Sequence, residues 1–137
     1  MIFVDTSAWV ALEDRKDINL SAALLFRQEL MNTKIRLLTT NFILDETFTL
    51  MLFDLGYHKT IAFKNKLDVL IHNHVVLVIH ITPEIESEAW QTFERFNKDK
   101  SWSFTDCTSK VVMEQLGVRE AFTFDRHFSQ MKFIQKP

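Results

Sequence analysis

Four carboxylates in this chain stand where they could do chemistry. Asp5 ends the run IFVD, Glu46 lies inside the apolar stretch TTNFILDETFTLML, Asp106 falls in SFTDCTSK, and Asp125 falls in AFTFDRHF. A carboxylate taken out of water is costly unless something pairs with it, so an acid at the end of a buried strand calls for a partner. If the four converge, repulsion between like charges raises their pKa values or demands a cation. Hard divalent ions such as Mg²⁺ or Mn²⁺ take oxygen ligands and keep several waters, so two to four carboxylates are the protein contribution expected at such a site. An ion held there could polarise a phosphoryl oxygen and activate a bound water.

Each acid has a plainer role to set beside this one. Asp5 could cap a following helix through its side chain. Asp45 could be the inward acid instead of Glu46, or the helix acid could pair with a lysine. Helical spacing groups Glu46 with Phe42, Leu50 and Phe53, an apolar face on which an unpaired charge would be expensive, and that favours a functional role. Asp106 could be a first-turn acid favoured by the helix dipole, which is compatible with metal binding. Asp125 could be an ordinary turn residue.

The elements that must position these acids alternate in type. Residues 2–4, 36–39, 75–81, 121–123 and 132–134 are apolar or β-branched runs bounded by polar residues, and they read as strands. Residues 20–32 fit an amphipathic helix behind Ser21. Residues 41–55 are apolar on nearly every side and end at Gly56, as a buried helix with a glycine cap would. Residues 57–72 follow directly and complete a helical hairpin. Thr82 and Pro83 read as a cap and first helical position for a helix to about Asn97. A further helix spans 106–116 and stops at Gly117. This alternation predicts an α/β fold, a three-layer α/β/α sandwich around a central, mainly parallel five-stranded sheet. Ligands of such sheets bind beyond the C-terminal strand ends, where Asp5, Asp106 and Asp125 lie.

Composition narrows the rest. The chain has 137 residues, 47% hydrophobic and 25% charged, which predicts one globular domain over residues 1–137. A lone cysteine, Cys107, excludes an internal disulfide and a thiol pair for zinc, and beside Asp106 it lacks the positive surroundings of a nucleophile. No leader-like segment or membrane span is evident, so a cytoplasmic location is expected. The net charge of −2 means that any contact with nucleic acid must be local. Gly56 and Gly117, the only glycines, lie in no phosphate-cradling loop. His72, His74 and His80 share parity in an extended run, but no cysteine supports a zinc site there. Trp102, in KDKSWS, is the candidate for stacking on an RNA base, and Lys98, Lys100 and Arg126 (with His127 beside it) are candidate phosphate contacts.

VDTSAWVAL, LDET, FTDCTS and FTFDRHF, in that order and spacing, resemble the acidic motifs of the PIN-domain ribonucleases, and the chain's size is similar to that of VapBC toxins. The resemblance covers essentially the whole chain. It implies that Asp5, Glu46, Asp106 and Asp125 are the metal-binding and catalytic acids. Ser7 or Thr6 would supply the hydroxyl beside the first acid, and Thr105 the one near the third. It further implies a Mg²⁺- or Mn²⁺-dependent endoribonuclease cutting tRNA or rRNA to leave a 3′-hydroxyl and a 5′-phosphate. Its partners would be a small antitoxin, clasped near residues 41–72, and a second copy of the chain. One departure stands out: many relatives carry a further acid after the fourth, whereas Arg126 and His127 fill DRHF here. A catalytically silent PIN module would need a misplaced acid. A receiver-like signalling domain would want an acidic pair after the first strand and a lysine after the last ones, and neither is present.

Overall fold

The computed structural model describes residues 1–137. Five strands, β1 (Ile2–Val4), β2 (Leu37–Thr40), β3 (Val76–Ile79), β4 (Glu120–Phe122) and β5 (Ile134–Lys136), form one sheet in the order β3-β2-β1-β4-β5. All four pairings are parallel. Helices α1 (Thr6–Glu13), α2 (Leu20–Met31), α3 (Asn41–Leu55), α4 (Tyr57–His72), α5 (Pro83–Phe96), α6 (Phe104–Gln115) and α7 (His127–Gln130) connect the strands and flank the sheet. The expected three-layer α/β architecture is present, and every strand is parallel.

The chain runs outward from β1 through β2 to β3, then returns to lay β4 against the other side of β1. The point at which strand order reverses therefore falls between β1 and β4. Parallel strands covered on both faces must be apolar throughout, and Phe3, Val4, Leu38 and Phe122 are at most 1% exposed. Phe3 packs its ring 5.9 Å from that of Phe128, which buries the otherwise short α7. Each such buried phenylalanine contributes about 1.5–3 kcal/mol relative to an exposed one.

Helix ends follow their local chemistry. Thr40 and Thr82 cap α3 and α5 by accepting from Ile43 N–H and Ile85 N–H. Gly56 takes φ 87°, a left-handed conformation that lets α3 stop and α4 begin at the same residue. Helix α6 starts two residues before the expected 106, because Ser103 and Asp106 form a capping box that moves the first turn forward. The last strand lies at 134–136 rather than 132–134, since the short α7 and a turn with positive φ at Lys132 precede it. One sequence expectation is corrected: the Phe42, Leu50, Phe53 face of α3 is not a buried wall, as Phe53 is 81% exposed and Leu50 39%.

Candidate active site

Asp5 leaves β1 and enters α1 as its N-cap, and it is 5% exposed. Its backbone N–H donates to Phe122 O across the reversal point. One carboxylate oxygen, Oδ2, accepts from Ser7 N–H at 3.3 Å, Ser7 Oγ at 2.8 Å and Thr123 Oγ1 at 3.0 Å. Both the capping role and the inward-facing acid are thus real. No protein donor reaches Oδ1, so it is free for another partner. Burial pushes the Asp5 pKa up, the charge of Asp106 adds to this, and the bonds from Ser7 and Thr123 oppose it.

Asp106 sits in the first turn of α6 and is 7% exposed. Its Oδ2 accepts from Ser103 N–H at 3.0 Å, while Ser103 Oγ accepts Asp106 N–H at 2.9 Å. The capping box therefore fixes the rotamer of this acid near the C-terminal ends of the central strands. Burial raises the Asp106 pKa and Asp125 raises it further, whereas Ser103 and His127 lower it. Asp125 follows β4 in a tight turn in which its Oδ1 accepts His127 N–H at 2.9 Å and its own N–H donates to Thr123 Oγ1 at 3.0 Å.

Glu46 approaches from α3. Burial of its carboxyl, then the charges of Asp5, Asp106, Asp125 and Asp45, push its pKa from 4.5 to about 7. As a residue Glu46 is solvent-exposed, and it is the carboxyl end of the side chain that lies in the acidic cleft. Four acids from α3, α6 and the ends of β1 and β4 thus act on one another electrostatically. None of the four is paired with a lysine or arginine. The one cationic candidate is His127, whose Nδ1 lies 3.0 Å from Asp106 Oδ2 and 3.4 Å from Asp125 Oδ1. One donor atom from each of Asp106, Asp125 and His127 lies within 4.8 Å of the others, while Asp5 and Glu46 stand outside that tight group. Free carboxylate oxygens, the raised pKa values of Asp5, Glu46 and Asp106 and missing ammonium partners fit a divalent cation.

The supporting residues divide. Ser7 bonds Asp5 and also donates or accepts at Thr123 Oγ1, 3.2 Å away. Thr6 turns the other way: its hydroxyl donates to Ile43 O at 3.4 Å and accepts from Thr47 Oγ1, inside the α1–α3 packing. The Thr105 hydroxyl bonds none of the acids; only its carbonyl is engaged, by Thr108 and Ser109. Thr123, the missing hydroxyl, was not singled out from sequence, although its place two residues before Asp125 at the end of β4 was a usable signal. Trp102 is corrected: it is 3% exposed, lies 5.0 Å from the Phe96 ring and donates its Nε1–H to Gln130, which leaves no face for a base. Lys98, Lys100 and Arg126 are exposed, with Lys100 3.7 Å from Asp99. Burial and Asp106 push the Cys107 thiol up to about 11, the opposite of an activated nucleophile.

Known proteins resemble the chain along most of its length. The PIN domain family matches residues 2–134. The 23S rRNA-specific endonuclease VapC20 of Mycobacterium tuberculosis (strain H37Rv) is 34% identical over 136 residues, covering 98% of this chain and 97% of that protein. A VapC ribonuclease of Archaeoglobus fulgidus is 37% identical over 94 residues, covering 69% of this chain and 56% of that one. The crystal structure of VapC20, described as a Sarcin-Ricin loop cleaving toxin, superposes with a TM-score of 0.83 at 32% identity, over 98% of this chain and 97% of that one. With the acids gathered at the strand-order reversal and the likeness running end to end, the chain belongs to the PIN-domain family, among the VapC ribonucleases.

Proposed function

We propose that the chain is a divalent-metal-dependent endoribonuclease, the toxin of a type II toxin–antitoxin pair, and that its RNA target is ribosomal. The observation that carries this reading is four carboxylates acting on one site with no lysine or arginine to balance them. A bound Mg²⁺ or Mn²⁺ would supply Lewis acidity at a phosphodiester oxygen and acidify a water. Asp5 and Asp106 would hold that ion, and Ser7 and Thr123 keep Asp5 from rotating away. Glu46, open to solvent and with a pKa near 7, is suited to accept the proton of the attacking water. Asp125 would complete the ligand set, and the exposed Arg126 would contact a phosphate next to the scissile one. Ribosomal RNA as target follows from the near full-length likeness to VapC20.

The same reading includes a partner and a second copy. A cavity of about 850 Å³, walled by Trp9, Leu30, Phe63 and Leu67 and rimmed by Arg27, Lys34 and Arg36, would take an apolar segment of an antitoxin with acidic flanks. Phe53, Leu52 and Tyr57, exposed on the α3–α4 hairpin, would form a homodimer seam. No helix is long and apolar enough to cross a membrane, and action on ribosomes places the enzyme in the cytoplasm. The receiver-like alternative is disfavoured by strand order, which is 2-1-3-4-5 in that class and β3-β2-β1-β4-β5 here.

The test is incubation of the purified protein with total RNA and ribosomes in Mn²⁺ or Mg²⁺, with and without chelator, beside Asp5→Asn. Cleavage that ignores chelator or survives the substitution overturns the metal mechanism. Intact RNA under every condition favours a silent binding module instead.

A further inference from the structure

The four acids account for oxygen ligands, yet the ring that lies within reach of both Asp106 and Asp125 is an imidazole. We propose that His127 is itself a metal ligand, and that with Asp106 and Asp125 it makes a mixed nitrogen–oxygen site preferring Mn²⁺ to Mg²⁺. This inference rests on the reading of the cleft as a metal site.

Spacing carries it first. Two ligand atoms at adjacent corners of an octahedron with bonds near 2.1 Å lie about 3 Å apart. His127 Nδ1 stands 3.0 Å from Asp106 Oδ2 and 3.4 Å from Asp125 Oδ1, and one donor from each residue lies within 4.8 Å of the others. These separations are compatible with one ion touching all three once the side chains adjust to it. Rigidity carries it second. The His127 backbone is pinned by its N–H on Asp125 Oδ1 at 2.9 Å, and Met131 N–H bonds its carbonyl at 2.9 Å. The next residue, Phe128, is fully buried and anchors the turn against β1. The imidazole is thus delivered to the cleft by the same turn that positions Asp125. Its side chain is 23% exposed, so ion and water can reach it. Nδ1 lies within hydrogen-bond distance of Asp106 Oδ2, and with the ring proton carried on Nε2 the same nitrogen would present its lone pair to an ion between the carboxylates.

Ligand type then sets the ion. Mg²⁺ favours an all-oxygen shell, whereas imidazole suits transition ions, whose affinities rise from Mn²⁺ along the first row. His127 offers a neutral nitrogen where a third carboxylate would offer a charged oxygen. That difference weakens Mg²⁺ more than Mn²⁺.

The direct test is pulsed electron paramagnetic resonance on the full-length chain loaded with Mn²⁺, read beside calorimetric titrations of Mn²⁺ and Mg²⁺ alone. Wild type is expected to show ¹⁴N modulation of the bound Mn²⁺, altered when histidine is ¹⁵N-labelled and lost in His127→Ala and His127→Asp. His127→Asp is expected to lower the Mn²⁺-to-Mg²⁺ affinity ratio about tenfold. Mn²⁺ bound by wild type without nitrogen modulation overturns the role of His127 and leaves the carboxylate metal site standing. Failure of wild type to bind either ion overturns both. The wild-type spectrum decides the matter even if a variant fails to fold.

Discussion

Single side chains here carry distinct and separable tasks. Asn in place of Asp5 or Asp106 keeps the caps but removes a charge, and RNA cleavage is expected to fall by roughly 10²–10³-fold, the loss of several kcal/mol of transition-state stabilisation. Thr123 and Thr6 form a sharper contrast. Thr123→Val deletes the bond to Asp5 Oδ2 and is expected to cost about 10–100-fold in metal affinity. Thr6→Val, whose hydroxyl faces Ile43 and Thr47, is expected to cost about 1 kcal/mol of stability with metal affinity unchanged. Calorimetry with Mn²⁺ and a urea melt separate the two. Glu46 makes stability depend on pH. Its pKa is raised on folding from 4.5 to about 7, so between those values the folded state binds more protons than the unfolded. In chelator, the melting temperature is expected to fall as pH rises through that window. Glu46→Gln should flatten the slope, and Mn²⁺ at pH 7 should restore stability; a melting temperature that rises across the window contradicts the assignment.

At the scale of elements, the site depends on how α6 begins and what its leading loop buries. Ser103 both caps α6 and receives Asp106, so Ser103→Ala is expected to cost about 1 kcal/mol and to loosen Asp106 together. Trp102, one residue earlier, ties that loop to α5 through Phe96 and to the end of α7 through Gln130. Trp102→Ala is therefore expected to destabilise by about 3–5 kcal/mol in a urea melt. A variant of normal stability with weakened RNA binding would instead return Trp102 to a stacking role. These elements were readable in outline, because apolar periodicity, Thr-Pro and glycine stops are local signals. The bounds of α3 and α4 match their spacing residue for residue. The four-residue α7 was not readable, since one turn leaves no periodicity; its one fully buried anchor is Phe128.

Across the whole molecule, charge and apolar surface are distributed unevenly. The net charge is −2, yet the acids are concentrated at one end of the sheet, and a cation there lets an otherwise acidic cleft accept RNA. Phe53, at 81% exposure, is a large apolar side chain left on the surface, and clustered with Leu52 and Tyr57 it marks a candidate interface. Phe53→Glu is expected to shift a dimer to monomer in sedimentation while changing stability by less than about 0.5 kcal/mol, as at an exposed position. An unchanged sedimentation coefficient would exclude this seam.

Residue order alone was enough to reveal the alternation of strands and helices and to single out four acids as candidates, because each depends on local spacing or on chemistry carried by one side chain. Which hydroxyl serves Asp5 was beyond it: Thr123 lies 118 residues away, and it is the pairing of β4 beside β1 that brings them together. The rotation of α1 turns Ser7 toward the acids and Thr6 toward α3, a difference of one residue that helical phase decides. Burial of Trp102 and the approach of His127 to Asp106 likewise arise from packing between distant segments. Contacts across a sheet and around a helix are set by three-dimensional closure, and linear spacing holds no record of them.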